Sequence, residues 1–306
     1  MTRTSVQIGS LTLRNPVMTA SGTFGFGTEM AGIFDLARLG AVVVKSTSRE
    51  PRLGNPTPRI TETPSGLLNA IGLQNGWIDN YIAEKAPFLR KFDVPVIVNL
   101  VGYSVDDYFY LAQRLTDAGA ADALEINISC PNVKHGCDFS VDPALTFELI
   151  DSLRKTTPLP LITKLSPNVT SVIPIARAAI DAGTDGLALI NTLLGTAIDA
   201  RKRRFKLANI TGGLSGPAIK PVALRLVWQA HQAFPNVPIV GMGGISTGID
   251  AAEFLLAGAT AVAVGTATFV RPTASIDVLD GLEAYLREMD IDDVRELIGA
   301  VREIEG

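Results

Sequence analysis

A repeated junction between a helix and an apolar strand is the feature that most limits how this chain can fold. In four places a helical pattern ends at a glycine and is followed at once by a β-branched apolar run: LARLGAVVVKS, LTDAGAADALEINIS, AIDAGTDGLALINT and FLLAGATAVAVGT. The glycine is expected to end each helix by adopting the left-handed conformation at its C-terminus. A run that is apolar at nearly every residue predicts a strand buried on both faces, which is typical of a parallel sheet covered by helices.

Four more apolar segments, NPVMTASG, VPVIVNL, LPLITKLS and VPIVGMGG, bring the number of predicted strands to eight. Eight such units in roughly 250 residues predict an α/β fold, the TIM (β/α)8 barrel. The opening VQIGSLTLRNP alternates around a turn and predicts an N-terminal hairpin that closes the bottom of the barrel. The predicted strands are 16–21, 41–46, 95–100, 122–128, 160–165, 185–191, 237–242 and 261–265.

The length and composition favour one domain. A chain of 306 residues, 47% of them hydrophobic, can bury a large core, and it has neither a low-complexity segment nor a linker rich in Pro, Ser or Gly. We therefore expect residues 1–306 to form a single barrel domain. The net charge of −4 gives no electrostatic footprint for nucleic acid, and the basic run RKRRFK at 201–206 is predicted to be a solvated segment.

The sequence also limits the compartment. No apolar run approaches the ~18 residues that a membrane span needs, and the N-terminus is too polar for a signal peptide. The only two cysteines, Cys130 and Cys137, are seven residues apart, which does not suit a disulfide framework. A reducing cytoplasm is the expected setting.

Polar residues and glycines follow the predicted strands. Active sites of this fold are built at the C-terminal ends of the strands. Taken singly, an Asn or Ser can cap the next helix, and a Lys can reach solvent. Two lysines and three asparagines on one rim instead predict an active site. The residues are Ser21, Gly22, Lys45, Ser46, Asn99, Asn127, Lys164, Asn191, Thr192, Gly243, Gly244, Gly265 and Thr266.

The last two strand ends are rich in glycine. GMGGIST follows the seventh predicted strand and VGTATF the eighth, so backbone N–H groups lie near helix N-termini there. This is the usual phosphate site of the fold. A phosphorylated ligand such as a mononucleotide cofactor is therefore expected.

Five motifs carry a resemblance to a known family: LNAIGLQN, NISCPN, KLSPNV, NITGGLSGPAIKP and GMGGI. Together they resemble the catalytic subunit of the class 1 dihydroorotate dehydrogenases, and more closely its type B, the NAD-linked branch. The resemblance covers nearly the whole chain in the same order. It implies FMN at the top of a TIM barrel and the oxidation of dihydroorotate to orotate in pyrimidine biosynthesis.

The cysteine of NISCPN gains a chemical role from this resemblance. Oxidising a C–C bond beside a carbonyl removes one hydrogen as a proton and its neighbour as a hydride, so a base must face the flavin across the substrate. A free thiol has a pKa of ~8.5, and a modest depression gives thiolate at neutral pH. The resemblance identifies Cys130 as that base. For Cys137 it implies no role, and a structural position is expected.

The resemblance assigns the remaining site residues. Lys164 is expected beside the flavin N1–C2 edge, where a fixed cation stabilises the reduced ring, and Lys45 near both flavin and the substrate carboxylate. Amide side chains suit a ring of alternating N–H and C=O groups. The cofactor set is Ser21, Lys45, Ser46, Asn99, Asn127, Lys164, Ile190, Gly216, Gly243, Gly244, Gly265 and Thr266. The substrate set is Lys45, Asn69, Ala70, Ile71, Gly72, Leu73, Asn127, Asn132, Asn191 and Thr192, and no metal ligand is expected.

The type B resemblance also implies a partner. Such enzymes pair a homodimer of the catalytic chain with a second subunit that carries FAD and a [2Fe–2S] cluster, forming a heterotetramer. A cluster typically needs four cysteine ligands, and this chain has two cysteines. It also lacks the G-x-G-x-x-G turn of a dinucleotide site. Both cofactors are therefore expected on the partner.

Other functions remain open at the level of sequence. A stand-alone type A enzyme would use fumarate, but NITGGLSGPAIKPVALR favours type B, and LLNAIGLQN favours orotate over a dihydropyrimidine dehydrogenase reaction. A Schiff-base aldolase could use Lys164 at a strand end. A non-catalytic scaffold is disfavoured because the rim keeps its polar residues.

Overall fold

The computed structural model describes residues 2–129 and 139–303. Cys130, Asn132 and Cys137 lie outside the described residues. In chain order the strands are β1 Val6–Ile8, β2 Leu11–Leu13, β3 Val17–Thr19, β4 Val42–Thr47, β5 Ile60–Thr63, β6 Gly66–Asn69, β7 Val96–Leu100, β8 Ala123–Asn127, β9 Leu161–Lys164, β10 Gly186–Leu189, β11 Leu193–Thr196, β12 Ile198–Asp199, β13 Arg204–Phe205, β14 Thr211–Ser215, β15 Ile239–Met242 and β16 Ala261–Val264.

Helices separate most of the parallel strands. The α-helices are α1 Trp77–Asn80, α2 Ala86–Leu89, α3 Val105–Asp117, α4 Pro143–Thr156, α5 Ile173–Asp181, α6 Lys220–Ala233, α7 Gly248–Leu256, α8 Ala267–Val270 and α9 Ala274–Glu288. Short 3₁₀ turns span Leu36–Arg38, Pro217–Ile219 and Val294–Leu297, and a π-helical turn, Tyr81–Lys85, joins α1 to α2.

Eight parallel strands form the predicted barrel. Their order is β3-β16-β15-β10-β9-β8-β7-β4, and each lies within two residues of its expected bounds. The sheet closes between β3 and β4, where Met18 and Ala41 form a parallel bridge. The Thr19 hydroxyl donates to the Val43 carbonyl at 3.1 Å and accepts from the Val43 N–H at 2.9 Å. The TIM-barrel prediction is confirmed.

The glycines at the helix–strand junctions behave in two ways. Gly119, Gly183 and Gly258 have φ values of 58°, 96° and 112°, as expected for left-handed residues that end helices. The same expectation was wrong for Gly40, which follows a 3₁₀ turn rather than an α-helix. A Cβ at Gly40 would lie 2.0 Å from the Asn15 carbonyl oxygen, so its small size allows the close approach at the barrel seam.

The N-terminal hairpin closes the bottom of the barrel, as predicted. β1 and β2 pair antiparallel, and Ile8 and Leu13 are fully buried. A Cβ at Gly186, the first residue of β10, would lie 2.9 Å from an Ile8 methyl carbon, which places the hairpin against the strand starts. At the same end Arg154 forms an ion pair of 2.9 Å with Asp185.

A second sheet lies over the other end of the barrel. It is antiparallel, has the order β11-β14-β6-β5, and was not predicted from the sequence. We call it the upper sheet. The basic run 201–206 is exposed throughout, as predicted, although its β13 pairs with β12 in a small ribbon.

Most buried apolar side chains belong to one cluster that includes the barrel and its helices. A smaller cluster of Leu68, Ala70 and Leu207 lies under the upper sheet. Within residues 2–129 and 139–303, no helix combines the length and apolar character that crossing a membrane requires.

Candidate active site

A cavity of about 920 Å³ opens between the C-terminal ends of the barrel strands and the upper sheet. Its volume lies near the top of the range of ~300–1,000 Å³ that is usual for small-molecule and cofactor sites. The predicted residues that line it are Ser21, Lys45, Ser46, Asn69, Ala70, Ile71, Gly72, Leu73, Asn127, Lys164, Ile190, Asn191, Thr192, Gly216, Gly243, Gly244, Gly265 and Thr266.

Of the predicted residues that the structure describes, only Asn99 is not among those lining the cavity. Asn99 is fully buried, and its side-chain amide donates to Glu125 Oε1 at 2.5 Å. Its flavin role stays a prediction. Cys130 and Asn132 lie outside the described residues. Ser129 precedes that gap and Ser140 follows it, and both line the cavity.

Lys164 is the last residue of β9, and the barrel encloses most of its side chain. Only 7% of that side chain is exposed, and it still lines the cavity. Its Nζ donates to the Ser21 hydroxyl and to Glu125 Oε1, at 3.3 Å in each case. An ammonium group is therefore held at the cavity wall by two acceptors of the barrel.

Lys45 is the second cation of the cavity and stands on β4. Burial lowers the pKa of Lys45, the nearby Arg59 guanidinium lowers it further, and the Glu29 carboxylate opposes both effects. The charged ammonium is thus less favoured than it would be in water. An anionic group bound beside it would favour the charged form again.

A cluster of amides and hydroxyls lies at the ends of β8 and β10. Asn127 Oδ1 accepts the Ser129 N–H at 3.2 Å and the Asn191 side-chain amide at 3.4 Å. The Tyr108 hydroxyl donates to the Asn127 carbonyl at 2.7 Å from the buried face of α3. These bonds fix the orientation of both asparagines, which leaves oriented amide groups along one wall.

The loop after β6 forms the wall opposite. The Asn69 side-chain amide donates to the Gly213 carbonyl of β14 at 3.3 Å, so the upper sheet orients it. Asn55 holds the following residues, donating from its side chain to the Ala70 carbonyl and from its backbone to the Ile71 carbonyl, both at 3.0 Å. Hydrogen bonds with Asn55 and with β14 therefore hold this segment in place.

Glycines line the third side of the cavity. Gly216, Gly243 and Gly244 have backbone φ values of 94°, 127° and 83°, which residues other than glycine rarely adopt. Part of the expected phosphate site is already used, because the Ser246 and Thr247 N–H groups donate to Asp250 in the capping box of α7.

Sequence reasoning missed several residues of this site. Asn168, in the segment after β9, lines the cavity and is hydrogen-bonded to the start of β11: it donates to the Thr192 carbonyl at 3.1 Å and accepts the Leu194 N–H at 2.8 Å. Glu125 is the buried counter-charge of Lys164. The sequence offers one signal for a buried charge here, since Glu125 is an acidic residue within the apolar run of the strand ALEIN.

These features fit a flat ring carrying a phosphate. Positive-φ glycines allow the backbone to approach such a ligand closely, and two lysines and three oriented asparagines can bind carbonyl, N–H and anionic groups. In the described ranges, no cluster of three or more His, Cys, Asp and Glu side chains suits a metal ion.

Comparison with known proteins gives a consistent picture. The family model described as "Dihydroorotate dehydrogenase" matches residues 3–286. A protein of Geotalea uraniireducens named "Dihydroorotate dehydrogenase B (NAD(+)), catalytic subunit" is 58% identical over 298 residues, which is 97% of each chain. Proteins with the same name from Geobacter sulfurreducens and Desulforamulus reducens are 54% and 55% identical, and the alignments cover 97% of each chain.

Proposed function

We propose that this chain, which belongs to the dihydroorotate dehydrogenase family, is the catalytic subunit of an NAD-linked enzyme that oxidises dihydroorotate to orotate in pyrimidine biosynthesis. The observation that supports it most is that one cavity collects every described residue expected to contact flavin or substrate except Asn99. The family depends on FMN, and the glycine turns and buried Lys164 suit that cofactor.

FMN, when bound, supplies the acceptor for the hydride that leaves the substrate. Gly216, Gly243 and Gly244 would lie against the ring and phosphate, where their lack of a side chain leaves room. Lys164 would place its ammonium where negative charge develops on reduction, which is worth more in a site without water. Lys45 would contact both the ring and the substrate.

The substrate would lie between the amide wall and the loop after β6. Asn69, Asn127 and Asn191 offer both donors and acceptors to a ring of alternating N–H and C=O groups. The substrate carboxylate would bind Lys45 and the backbone of residues 70–73, and its charge would restore the charged state that burial disfavours in Lys45.

Cys130 would take the proton from the carbon next to the one that gives up hydride. Ser129 and Ser140, on either side of the undescribed segment, line the cavity, which supports this assignment. Cys130→Ala should retain bound FMN and lose turnover by a factor of about 10² to 10⁴, the usual weight of a general base. Cys130→Ser should recover part of the activity at high pH, because a hydroxyl gives up its proton less readily than a thiol and is a weaker base at neutral pH.

Cys137→Ala is the matched control, since it removes the other thiol and should behave like the wild type. Full turnover by Cys130→Ala at neutral pH would overturn the assignment. An absorption spectrum of the purified protein with the bands of oxidised flavin is the first check on the whole proposal.

A partner subunit would pass the electrons to NAD. The relatives' printed name, catalytic subunit, points to an assembly, and we propose a heterotetramer whose second chain carries FAD and a [2Fe–2S] cluster. The purified chain alone should reduce artificial acceptors with dihydroorotate but not NAD. Rapid reduction of fumarate, or of NAD without a partner, would contradict the type B assignment.

A further inference from the structure

A buried carboxylate inside the barrel has no part in the chemistry described above. Glu125 lies in the middle of β8, and its side chain is 3% exposed. Removing a carboxylate from water carries a large free-energy penalty, and only close partners offset it. An apolar side chain could fill the same space without that penalty, so the charge itself needs an explanation.

The partners of Glu125 connect it to the cavity. Oε1 accepts the Asn99 side-chain amide at 2.5 Å and the Lys164 ammonium at 3.3 Å. Asn99 and Glu125 are register partners on neighbouring strands, so they lie in one layer of the barrel interior. Lys164 lines the cavity, whereas Glu125 and Asn99 are not among its lining residues.

We propose that Glu125 is a positioning residue, which holds the Lys164 ammonium at the cavity wall and offsets part of its charge there. The inference rests on the proposed function for its effect on flavin, but not for the pairing itself. Asn99 donates to the carboxylate, the carboxylate and the Ser21 hydroxyl accept from Nζ, and Lys164 lines the cavity in which a ligand would bind. The chain of contacts thus links a residue outside the cavity lining to the reduction potential of the bound cofactor.

The sign of this effect follows from the charges. Reduction adds negative charge to the flavin ring, which an ammonium stabilises and a carboxylate behind it destabilises. Removing the carboxylate while keeping its shape, in Glu125→Gln, should therefore raise the reduction potential of bound FMN. Removing the ammonium, in Lys164→Met, should lower it.

The first experiment uses the protein freed of flavin. Each single variant leaves one buried charge without its counter-charge, so Glu125→Gln and Lys164→Met should each lower the melting temperature. The double variant removes both charges, and its melting temperature should exceed the value expected if the two losses were added. Additive losses, or a double variant that does not fold, would overturn the pairing.

The second experiment measures the potential of bound FMN by spectroscopic titration against reference dyes. Asp185→Asn is the control, because it breaks an ion pair of 2.9 Å with Arg154 at the bottom of the barrel. It should lower the melting temperature without changing the potential. A potential that is unchanged or lowered in Glu125→Gln would refute the role of Glu125 as counter-charge.

The FMN site and the Lys164–Glu125 ion pair are tested by separate measurements. Wild-type protein that binds no FMN would contradict the proposed function, while the melting experiment would still test the ion pair. Glu125→Asp adds a further check, since it keeps the charge on a shorter side chain. Its carboxylate should still offset part of the Lys164 charge, so the reduction potential of bound FMN should lie between that of the wild type and that of Glu125→Gln.

Discussion

Replacing Gly244 by alanine tests the glycine turn after β15 as a cofactor site. Gly244 has a φ of 83°, and an added Cβ would lie 2.8 Å from Lys220 Cβ and 3.0 Å from the Gly216 carbonyl oxygen. The left-handed conformation alone costs an ordinary residue about 1–2 kcal/mol. The contacts add to this, because Lys220 is held by ion pairs of 2.6 and 2.7 Å with Asp250 and Glu253.

The combined cost should be about 2–5 kcal/mol, since overpacking and backbone shifts typically add about 1–3 kcal/mol. Relief requires Gly244 or Gly216 to move, and both line the cavity. If half or more of the cost appears in ligand binding, FMN affinity should fall by about 10- to 100-fold, at about 1.4 kcal/mol per factor of ten.

The assay is fluorescence titration of flavin-free protein with FMN, beside denaturant unfolding of the same sample. Gly119→Ala is the matched control, because Gly119 has a φ of 58° and no atom within 4 Å of an added Cβ. It should lose about 1 kcal/mol of stability and none of its affinity for FMN. Equal FMN affinity in Gly244→Ala and the wild type would refute the reasoning.

Three further predictions concern the surroundings of the cavity. Gly248→Ala would place a Cβ 2.1 Å from the backbone of α9, so unfolding in denaturant should show a loss of about 3 kcal/mol or more. Burial would raise the pKa of Asp250, but hydrogen bonds from Lys220 and the cap of α7 outweigh it and lower that pKa. Its stabilisation is therefore present above the unfolded pKa of ~3.9 and is lost as pH falls, so the deficit of Asp250→Asn at neutral pH should shrink below about pH 4. Gly213→Ala would put a Cβ 2.0 Å from Thr192 Oγ1 and should raise KM for dihydroorotate about 10-fold by displacing the upper sheet, with FMN content unchanged in the absorption spectrum.

The barrel could be predicted because its strands are buried on both faces, which leaves continuous apolar runs in the sequence. The upper sheet has no such signal. Its strands are only four or five residues long, and β14 has the sequence TGGLS. β6 pairs with β14, which lies more than 140 residues further along the chain. Glycine weakens the strand pattern, and pairing between distant segments cannot be read from local periodicity.

The sequence predicts the site residues at the strand ends. It does not predict the buried layer of Asn99 and Glu125 below them. Asn127 and Lys164, at the ends of their strands, line the cavity, whereas the Asn99 side chain is hydrogen-bonded to Glu125 in the layer below and its flavin role stays a prediction. A carboxylate in a buried strand predicts that a positive charge lies nearby. Only the fold shows that this partner is Lys164 on the next strand.

The arrangement of charge in the barrel explains why a lysine at a strand end is kept inside the protein. An exposed lysine would be screened by water, and its field at a ligand would be small. The side chains of Lys164 and Glu125 are instead only 7% and 3% exposed, and Lys164 lines the cavity while paired with Glu125. The penalty for burying them is offset by their mutual ion pair and by the hydrogen bonds that Asn99 and Ser21 make with them. An ammonium held in this position would act on a bound ligand through a medium that screens it weakly, which is the condition under which one charge can shift a reduction potential.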